Sequence, residues 1–487
     1  MPVPAEMRVA ETEIDRSIAA LPIWNTPQKT LLRMILEFYR DAIEVVFALA
    51  AVGYQADDSV SVENSLCQEQ DLHGGVLQAL KWTMEFSPLC GDSPSPGAEV
   101  VHELIGIGRR YELLVDVLKM ANHDRVTIVM NDAGRTITVY EGGDLTGADA
   151  QLIAYQHSTL PLYAQTPLIA DGDQLTAKWT AGDFRRLASQ LAAMATDLEN
   201  EKIVTTRGGE ETPLFNRPVV LEIEDAHESA QQAALEDLTL TPEKVANPSK
   251  WPLTSWRDIP FVMVGERRLA VSNIVKSLAG PARDDYMLRV AARSDSNQYV
   301  KVSGLRESRM IERCKAALET HGWAVRPRFK LTNPPRELDL YATQAEGHLV
   351  VQLKSTLRPE TPWEVLKRNE DLIKGIVHTA EAIRCFPAGT IGIVVTDGYH
   401  GDYNTWAQAL ACGVMVGTMQ DVDDIARDPM SAHVFLKSRA GFDERAERSP
   451  VPDRQLELAG WTLRLIDAPA PSQLSRDHQC MREAGNR

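Results

Sequence analysis

Four polar residues in the second half of the chain have the types and spacing needed for hydrolytic chemistry. The segment Val325–Ser355 predicts three strands joined by the turn segments TNPP and TQAEG. In the third strand, HLVVQLKS, the period of two puts Gln352 and Lys354 on one face and leucine and valine on the other. The second strand, RELDLYA, carries Asp339, with Glu337 on the same face two residues earlier. We therefore expect an amide, an ammonium and two carboxylates at one edge of a sheet.

These side chains suit a metal-assisted attack on a phosphodiester. Carboxylate oxygens are the ligands that Mg²⁺ prefers, and Mg²⁺ commonly bridges to phosphate. A lysine in a strand otherwise made of core residues needs a partner, which Asp339 can supply. Lys354 could position or deprotonate the attacking water, or stabilise negative charge in the transition state.

The helix expected before these strands offers another carboxylate. The segment RESRMIERCKAALETHGWAV predicts an amphipathic helix from about Leu305 to a stop at Gly322, with Met310 and Cys314 on its apolar face. Glu312 lies near the start of this helix.

The order of these residues resembles the PD-(D/E)XK nuclease superfamily, in the QxK form of Mrr-like restriction endonucleases. Glu312, Asp339 and the stretch Gln352-Leu-Lys354 carry the resemblance. A helix, three strands, a helix over about 364–386 and the strand TIGIVVT follow one another in the αβββαβ order of that family. An Ala-rich helix and a short strand extend the resemblance to about residue 425. It covers about a quarter of the chain.

The resemblance implies a role for each matched residue. Asp339 would be the principal metal ligand and Lys354 the catalytic lysine, while Gln352 would take the second acidic position of the motif. Glu312 would supply a metal-binding carboxylate from the helix, and Glu337 is an accessory ligand. The implied cofactor is Mg²⁺, with Mn²⁺ as a possible substitute. No proline comes before Asp339, and the neutral Gln352 makes the site less acidic than an ExK site.

The expected function is that of a Mg²⁺-dependent endodeoxyribonuclease, acting in restriction or defence against foreign DNA. DNA repair uses the same fold. The alternative is a catalytically inactive nuclease-fold module that binds nucleic acid or a protein partner, which the neutral Gln352 and the net charge of −17 favour. A nuclease for RNA or branched DNA is a third idea, without an RNA-binding signature to support it.

Basic residues around the predicted site are candidate contacts to the DNA backbone, and each could equally be a solvated surface charge. They are Arg309, Arg326, Arg328, Lys330, Lys367 and Arg368. His378, on the helix after the QxK strand, could face the site or simply pack. Asp397, His400 and Asp402 are expected to serve a turn rather than a second metal site.

Composition and charge limit the class of protein. A chain of 487 residues, 44% hydrophobic and 24% charged, indicates two or three globular domains. The net charge argues against a surface that is basic throughout, although residues 301–400 contain 15 Lys and Arg against 12 Asp and Glu. The longest apolar stretch without charge, Val45–Tyr54, is too short to span a membrane, and a cytoplasmic location without a membrane partner is expected.

Several familiar sites are missing from the sequence. It has no phosphate-loop motif, no HExxH zinc helix, no GxSxG elbow and no dinucleotide fingerprint. Its six cysteines are scattered without CxxC spacing, which indicates reduced, mostly structural thiols.

The predicted fold class is multidomain, with a mainly α amino-terminal region and a carboxy-terminal α/β domain. Helix signals after Thr26-Pro27 and over Ala98–Asn122 precede the hairpin signal VTIVM-NDAG-TITVY. The predicted regions are a mainly helical domain with a small β element (1–205), an acidic linker with a small α/β region (206–300), the restriction-endonuclease-like domain with an αβββαβ core (301–430) and a partly flexible extension (431–487). Target recognition or binding of a protein or ligand activator is expected in the first 300 residues. Whether two chains pair as a homodimer stays open.

Overall fold

The computed structural model describes most of the chain in fifteen segments. They are residues 5–55, 59–91, 95–123, 125–131, 135–140, 168–200, 218–249, 255–280, 283–332, 335–345, 347–357, 359–399, 401, 403–432 and 454–466. His400 and Asp402 lie outside the described residues.

The amino-terminal region is helical, as predicted. Its helices are α1 (Ala5–Ala19), α2 (Gln28–Gln55), α3 (Ser59–Phe86) and α4 (Ala98–Asn122). The start of α2 directly after Thr26-Pro27 and the bounds of α4 agree with the sequence signals. The apolar positions of α2 that recur at helical spacing are buried, among them Leu32, Ile35 and Tyr39. None of the helices in the described part of the chain is long and apolar enough to cross a membrane.

A small sheet joins the two ends of the chain. The predicted hairpin is present as β1 (Thr127–Asn131) and β2 (Thr136–Tyr140), which pair antiparallel. Near the carboxyl terminus, Arg454–Leu458 and Trp461–Ile466 form a second hairpin, whose latter strand pairs parallel with β2. Within the predicted extension 431–487, residues 454–466 are therefore part of the sheet that contains β1 and β2.

The middle region is a small α/β unit. It contains α5 (Ala181–Asn200), β3 (Val220–Ile223), α6 (Ser229–Asp237), β4 (Thr239–Leu240), α7 (Pro242–Ala246), β5 (Phe261–Val264), β6 (Arg267–Val271), α8 (Ser272–Ser277) and α9 (Arg283–Ser294). Its sheet has the order β3-β6-β5-β4. At the start of α5, the backbone N–H of Thr180 donates to Asp183 (2.8 Å) and that of Asp183 donates to Thr180 Oγ1 (3.3 Å). These two hydrogen bonds form a capping box.

A five-stranded sheet forms the next unit. Its elements are α10 (Ser296–Thr320), β7 (Ala324–Thr332), β8 (Pro335–Gln344), β9 (Gly347–Lys354), α11 (Pro362–Ile383), β10 (Ile391–Thr396), α12 (Tyr403–Ala411), β11 (Val414–Thr418) and α13 (Met419–Arg427). The remaining hairpin strands are β12 (Arg454–Leu458) and β13 (Trp461–Ile466). The predicted succession of helix, three strands, helix and strand is confirmed. Helix α10 begins nine residues before the predicted start, because Asp295 caps it by accepting from the N–H of Gln298 (3.0 Å).

The strand order is β11-β10-β9-β8-β7. Strands β9, β10 and β11 are parallel, whereas β8 and β7 continue the sheet antiparallel. One face packs on α10, where Leu349, Val351 and Leu353 share a core with Met310 and Cys314. The other face is covered by α11. Strand β7 is an edge strand of the sheet, and its Phe329 and Leu331 pack against a cluster that includes Ala382 of α11.

Buried ion pairs connect the sheet unit to the rest of the molecule. Arg289 of α9 pairs with Asp258 (2.9 Å) and with Glu364 of α11 (2.8 Å). Arg257 lies between Glu69 of α3 (3.3 Å) and Glu360 (3.7 Å). The three regions therefore share one set of internal charges.

Candidate active site

Asp339 lies where strand β8 separates from β9. The pairing between these strands ends at Leu340 and Val351, and Leu340 is the residue that follows Asp339. Beyond that point Asp339 Oδ2 accepts hydrogen bonds from the backbone N–H of Leu353 (2.6 Å) and from Nε2 of Gln352. A carboxylate thus takes the place of the backbone acceptor that the sheet would otherwise supply.

Gln352 and Lys354 lie on the face of β9 that α11 covers. Their alternation with Val351 and Leu353, which are buried towards α10, agrees with the expected period of two. Lys354 is half-buried, and its aliphatic stem passes close to Gly375 of α11. A Cβ atom on Gly375 would lie only 3.2 Å from Lys354 Cε. The predicted grouping of Asp339, Gln352 and Lys354 is therefore present.

The environment of Asp339 disfavours its negative charge. Burial is the largest influence and raises the pKa of the Asp339 carboxyl, and the neighbouring Glu307 and Glu337 raise it further. The N–H of Leu353 and the ammonium of Lys354 lower the pKa, but the net shift is upward. A cation bound beside Asp339 would relieve this imbalance.

Among the residues of α10, Glu307 is the one whose charge raises the pKa of the Asp339 carboxyl, and sequence reasoning missed it. Glu312 has a side chain that is 69% exposed, and its nearest cation is Lys315 at 3.9 Å. The structure does not bring Glu312 to Asp339. The available signal was helical phase: Glu307 precedes the buried Met310 and Cys314 by three and seven residues, whereas Glu312 falls between them.

Glu337 is exposed on β8, opposite Lys330 of β7. It lies two residues before Asp339 and contributes to the electrostatic potential there. Its position agrees with an accessory role and provides no direct contact with Gln352 or Lys354.

The end of β9 is fixed by a buried carboxylate. Asp397, which follows β10, accepts from the N–H of Thr356 (2.9 Å) and from Oγ of Ser355 (3.3 Å). The guanidinium of Arg306 pairs with the same carboxylate at 2.8 Å. Because Ser355 and Thr356 directly follow Lys354, this cluster holds the chain in place next to the candidate site.

The six predicted DNA contacts fall into two groups. Arg326, Arg328 and Lys330 are exposed along β7. Of the remaining three, Arg309 pairs with Asp173 (2.8 Å) and Lys367 pairs with Glu370 (3.3 Å). Arg368 is half-buried, and its charge lowers the pKa of Glu364. The strand β7 is thus the exposed basic surface nearest to Asp339.

His378 of α11 is exposed and close to the positive charges of the site. Arg336 donates to its backbone carbonyl oxygen (3.0 Å). Burial, followed by the charges of Arg336 and Lys354, lowers the pKa of the His378 imidazole. The ring is therefore mostly neutral at pH 7.

The oxygen donors present suit a hydrated Mg²⁺ better than a softer metal. Among the described residues there is no group of three or more His, Cys, Asp and Glu side chains that could hold a metal ion. The predicted set of four ligands is not assembled. The ligands that remain are the Asp339 carboxylate and the amide oxygen of Gln352. The amide nitrogen of Gln352 donates to Asp339. Mg²⁺ commonly retains several waters and needs only one or two carboxylates, so these residues fit it.

Comparison with other proteins assigns no function to the chain. The chain matches no protein-family model, no curated protein and no solved structure. The geometry around Asp339 must therefore carry any functional proposal.

Proposed function

We propose that the chain is a metal-dependent DNA endonuclease with a restriction-endonuclease-like fold, acting in restriction or defence against foreign DNA. The observation that carries the proposal is the meeting of Asp339, Gln352 and Lys354 where β8 and β9 separate. The αβββαβ order of the surrounding elements, which resembles the PD-(D/E)XK superfamily, supports it.

Asp339 and the amide oxygen of Gln352 would hold Mg²⁺, with Glu307 and Glu337 adding negative potential. When bound, Mg²⁺ supplies positive charge that polarises a phosphodiester and promotes ionisation of water. The hydrogen bond from the N–H of Leu353 orients the Asp339 carboxylate at the point where β8 and β9 separate. Orientation by a backbone donor costs no reorganisation during the reaction.

Lys354 would act directly on the reacting group. Its ammonium can donate to a non-bridging phosphate oxygen, or orient the attacking water, from a position fixed by α11 and by the Asp397 cluster. Contacts between β7 and the DNA backbone would bring the phosphodiester to this edge of the sheet.

The test is cleavage of supercoiled plasmid and linear duplex by the full chain with Mg²⁺, Mn²⁺ or EDTA, with single-stranded DNA and RNA as further substrates. Asp339→Ala and Lys354→Ala should each lower the cleavage rate at least about 100-fold. Lys315→Ala removes a lysine of α10 that pairs with Glu312, and serves as the matched control. Retention of metal-dependent cleavage in either site variant would overturn the proposal.

A binding module without catalysis is the second candidate, and the outward position of Glu312 favours it. One well-placed carboxylate gives weaker metal binding than the ligand set of an active nuclease. Calorimetric titration with Mg²⁺ or Mn²⁺ separates the two candidates. Binding that disappears in Asp339→Ala supports the nuclease, whereas DNA binding without any metal binding supports the module.

A further inference from the structure

One residue of β7 has a backbone conformation that its strand does not require. Among the described residues, four that are not glycine have a positive φ: Arg135, Arg328, Ala345 and Ala459. Three of them lie in the turns of antiparallel hairpins, where left-handed backbone is common. Arg328, with φ 49°, lies inside a strand.

This exception lies directly beside the candidate site. The register pairs Pro327 with Leu340 and Phe329 with Leu338, so Arg328 is the residue of β7 opposite Asp339. The pairing is interrupted at this position, just as it ends at the same level between β8 and β9. The backbone pairing of β8 is therefore interrupted at Asp339 towards both neighbouring strands.

The side chain of Arg328 is available for a ligand. Arg328 is exposed, and within the described residues its guanidinium makes no ion pair. Its neighbour Lys330 stands opposite a carboxylate, that of Glu337, whereas Arg309 and Lys367 pair within the molecule and Arg368 is half-buried. A left-handed conformation is unfavourable for a side chain with a Cβ atom, and such strain clusters at functional sites.

We infer that Arg328 binds the phosphate group that is cleaved, through the planar fork of its guanidinium. The inference rests on the proposed function, and it separates Arg328 from Arg326 and Lys330, whose contacts would be to the flanking backbone. A guanidinium gives two parallel hydrogen bonds to phosphate, which lysine cannot reproduce. The left-handed backbone occurs at the residue of β7 that the register places opposite Asp339.

The variant Arg328→Gly should raise the stability of the chain and lower its cleavage rate. Glycine accepts the left-handed backbone without strain, so the midpoint of thermal unfolding should rise by about 2 °C. The cleavage rate at subsaturating DNA should nevertheless fall at least about tenfold. Binding of a fluorescein-labelled duplex in EDTA should show a salt dependence whose slope is smaller by about 0.9.

Two further variants complete the test. Ala345→Gly relieves the same conformation in the turn between β8 and β9, six residues from Asp339, and should raise stability without changing cleavage or DNA binding. Arg328→Lys keeps the charge and should retain the salt slope while losing most of the cleavage rate.

The possible outcomes distinguish failure of the Arg328 inference from failure of the nuclease proposal. If the wild type cleaves DNA and Arg328→Gly cleaves it as Ala345→Gly does, the inference is wrong and the nuclease proposal stands. If the wild type binds DNA through Arg328 without cleaving it, the nuclease proposal is wrong and phosphate binding by Arg328 stands. If the wild type neither binds nor cleaves DNA, both are wrong.

Discussion

Asp339 destabilises the folded chain at neutral pH, because burial and two neighbouring carboxylates raise the pKa of its carboxyl. A group whose folded pKa lies above its unfolded value favours folding at low pH, and this contribution is lost as the pH rises through the folded pKa. Asp339→Asn should therefore increase the free energy of unfolding at pH 7 and flatten its pH dependence above pH 4. Urea unfolding at pH 4 to 7 measures this, with Asp371→Asn on the outer side of α11 as the control. Equal effects of the two variants would contradict it.

In the proposed site, a metal ion and protons would compete for the carboxylate of Asp339. The affinity for Mg²⁺ should consequently rise as the pH passes upward through the raised pKa of Asp339.

Two of the glutamates of α10, Glu307 and Glu312, should have unequal effects on metal binding. Glu307 raises the pKa of Asp339, whereas Glu312 is directed to solvent beside Lys315. We expect Glu307→Ala to weaken Mn²⁺ binding several-fold and Glu312→Ala to leave it unchanged, as measured by calorimetry. A larger effect of Glu312→Ala would restore the ligand set expected from sequence.

Gly375 controls the position of Lys354. Alanine there would place its Cβ atom 3.2 Å from Lys354 Cε and 3.4 Å from Val394 Cγ1. Gly375→Ala should displace the ammonium and lower the cleavage rate about tenfold, because small misplacements of catalytic groups are costly. Gly106→Ala is the matched control in a helix, since its Cβ atom would meet nothing closer than 3.6 Å. Unchanged cleavage in Gly375→Ala, at unchanged KM, would show that Lys354 tolerates the displacement.

At the scale of elements, local patterns predicted most of the sheet unit. The alternation around Gln352 and Lys354 and the stop at Gly322 depend on neighbours in the sequence, and both predictions are confirmed. Glu312 is exposed beside Lys315 and does not reach Asp339, as the helical phase of the buried Met310 and Cys314 indicates. Conformations such as that of Arg328 have no local signal at all.

The pairing of β13 with β2 could not be predicted, because the two strands are far apart in the sequence. The segment WTLRLI alternates as a strand should, yet nothing in it specifies its partner. Tertiary contacts between Leu463, Ile137 and Val139 decide the arrangement.

The second hairpin should be essential for the amino-terminal sheet. Trp461 is 4% exposed and belongs to the principal core of the molecule. We expect Trp461→Ala to destabilise the chain by about 3–5 kcal/mol, as removal of a buried aromatic side chain usually does. Thr462→Ala changes the next residue, which points to the opposite face, and should cost far less. Denaturant unfolding compares them, and equal costs would contradict the packing role.

At the scale of the molecule, the sheet unit and the middle region are joined by charge as well as by packing. Burial is the largest influence and raises the pKa of Glu364. The charge and hydrogen bonds of Arg289, the N–H of Glu360 and the charge of Arg368 together outweigh it, and the net pKa is lowered. Its stabilising contribution is therefore lost as the pH falls through the folded pKa. A junction of this kind specifies one relative orientation of its two sides, because each charge needs its partner.

Removal of Arg289 should uncouple these regions. Arg289→Ala leaves Asp258 and Glu364 without their buried partner and should cost about 3–5 kcal/mol. Arg283→Ala, on the same helix but in a more exposed pair with Asp284, is the control. Calorimetry should resolve separate transitions for the regions in Arg289→Ala, and one unshifted transition would contradict the coupling.

The parallel contact between β13 and β2 also has a consequence in time. Ile466 pairs with Tyr140, from which it is separated by 326 positions in the sequence. A ribosome adds about 5–20 residues per second, so roughly 16–65 s pass between the synthesis of these two strands. Throughout that interval the nascent chain must keep the unpaired edge of β2 from other chains. Aggregation during synthesis, more than stability once finished, is then the hazard that this topology creates.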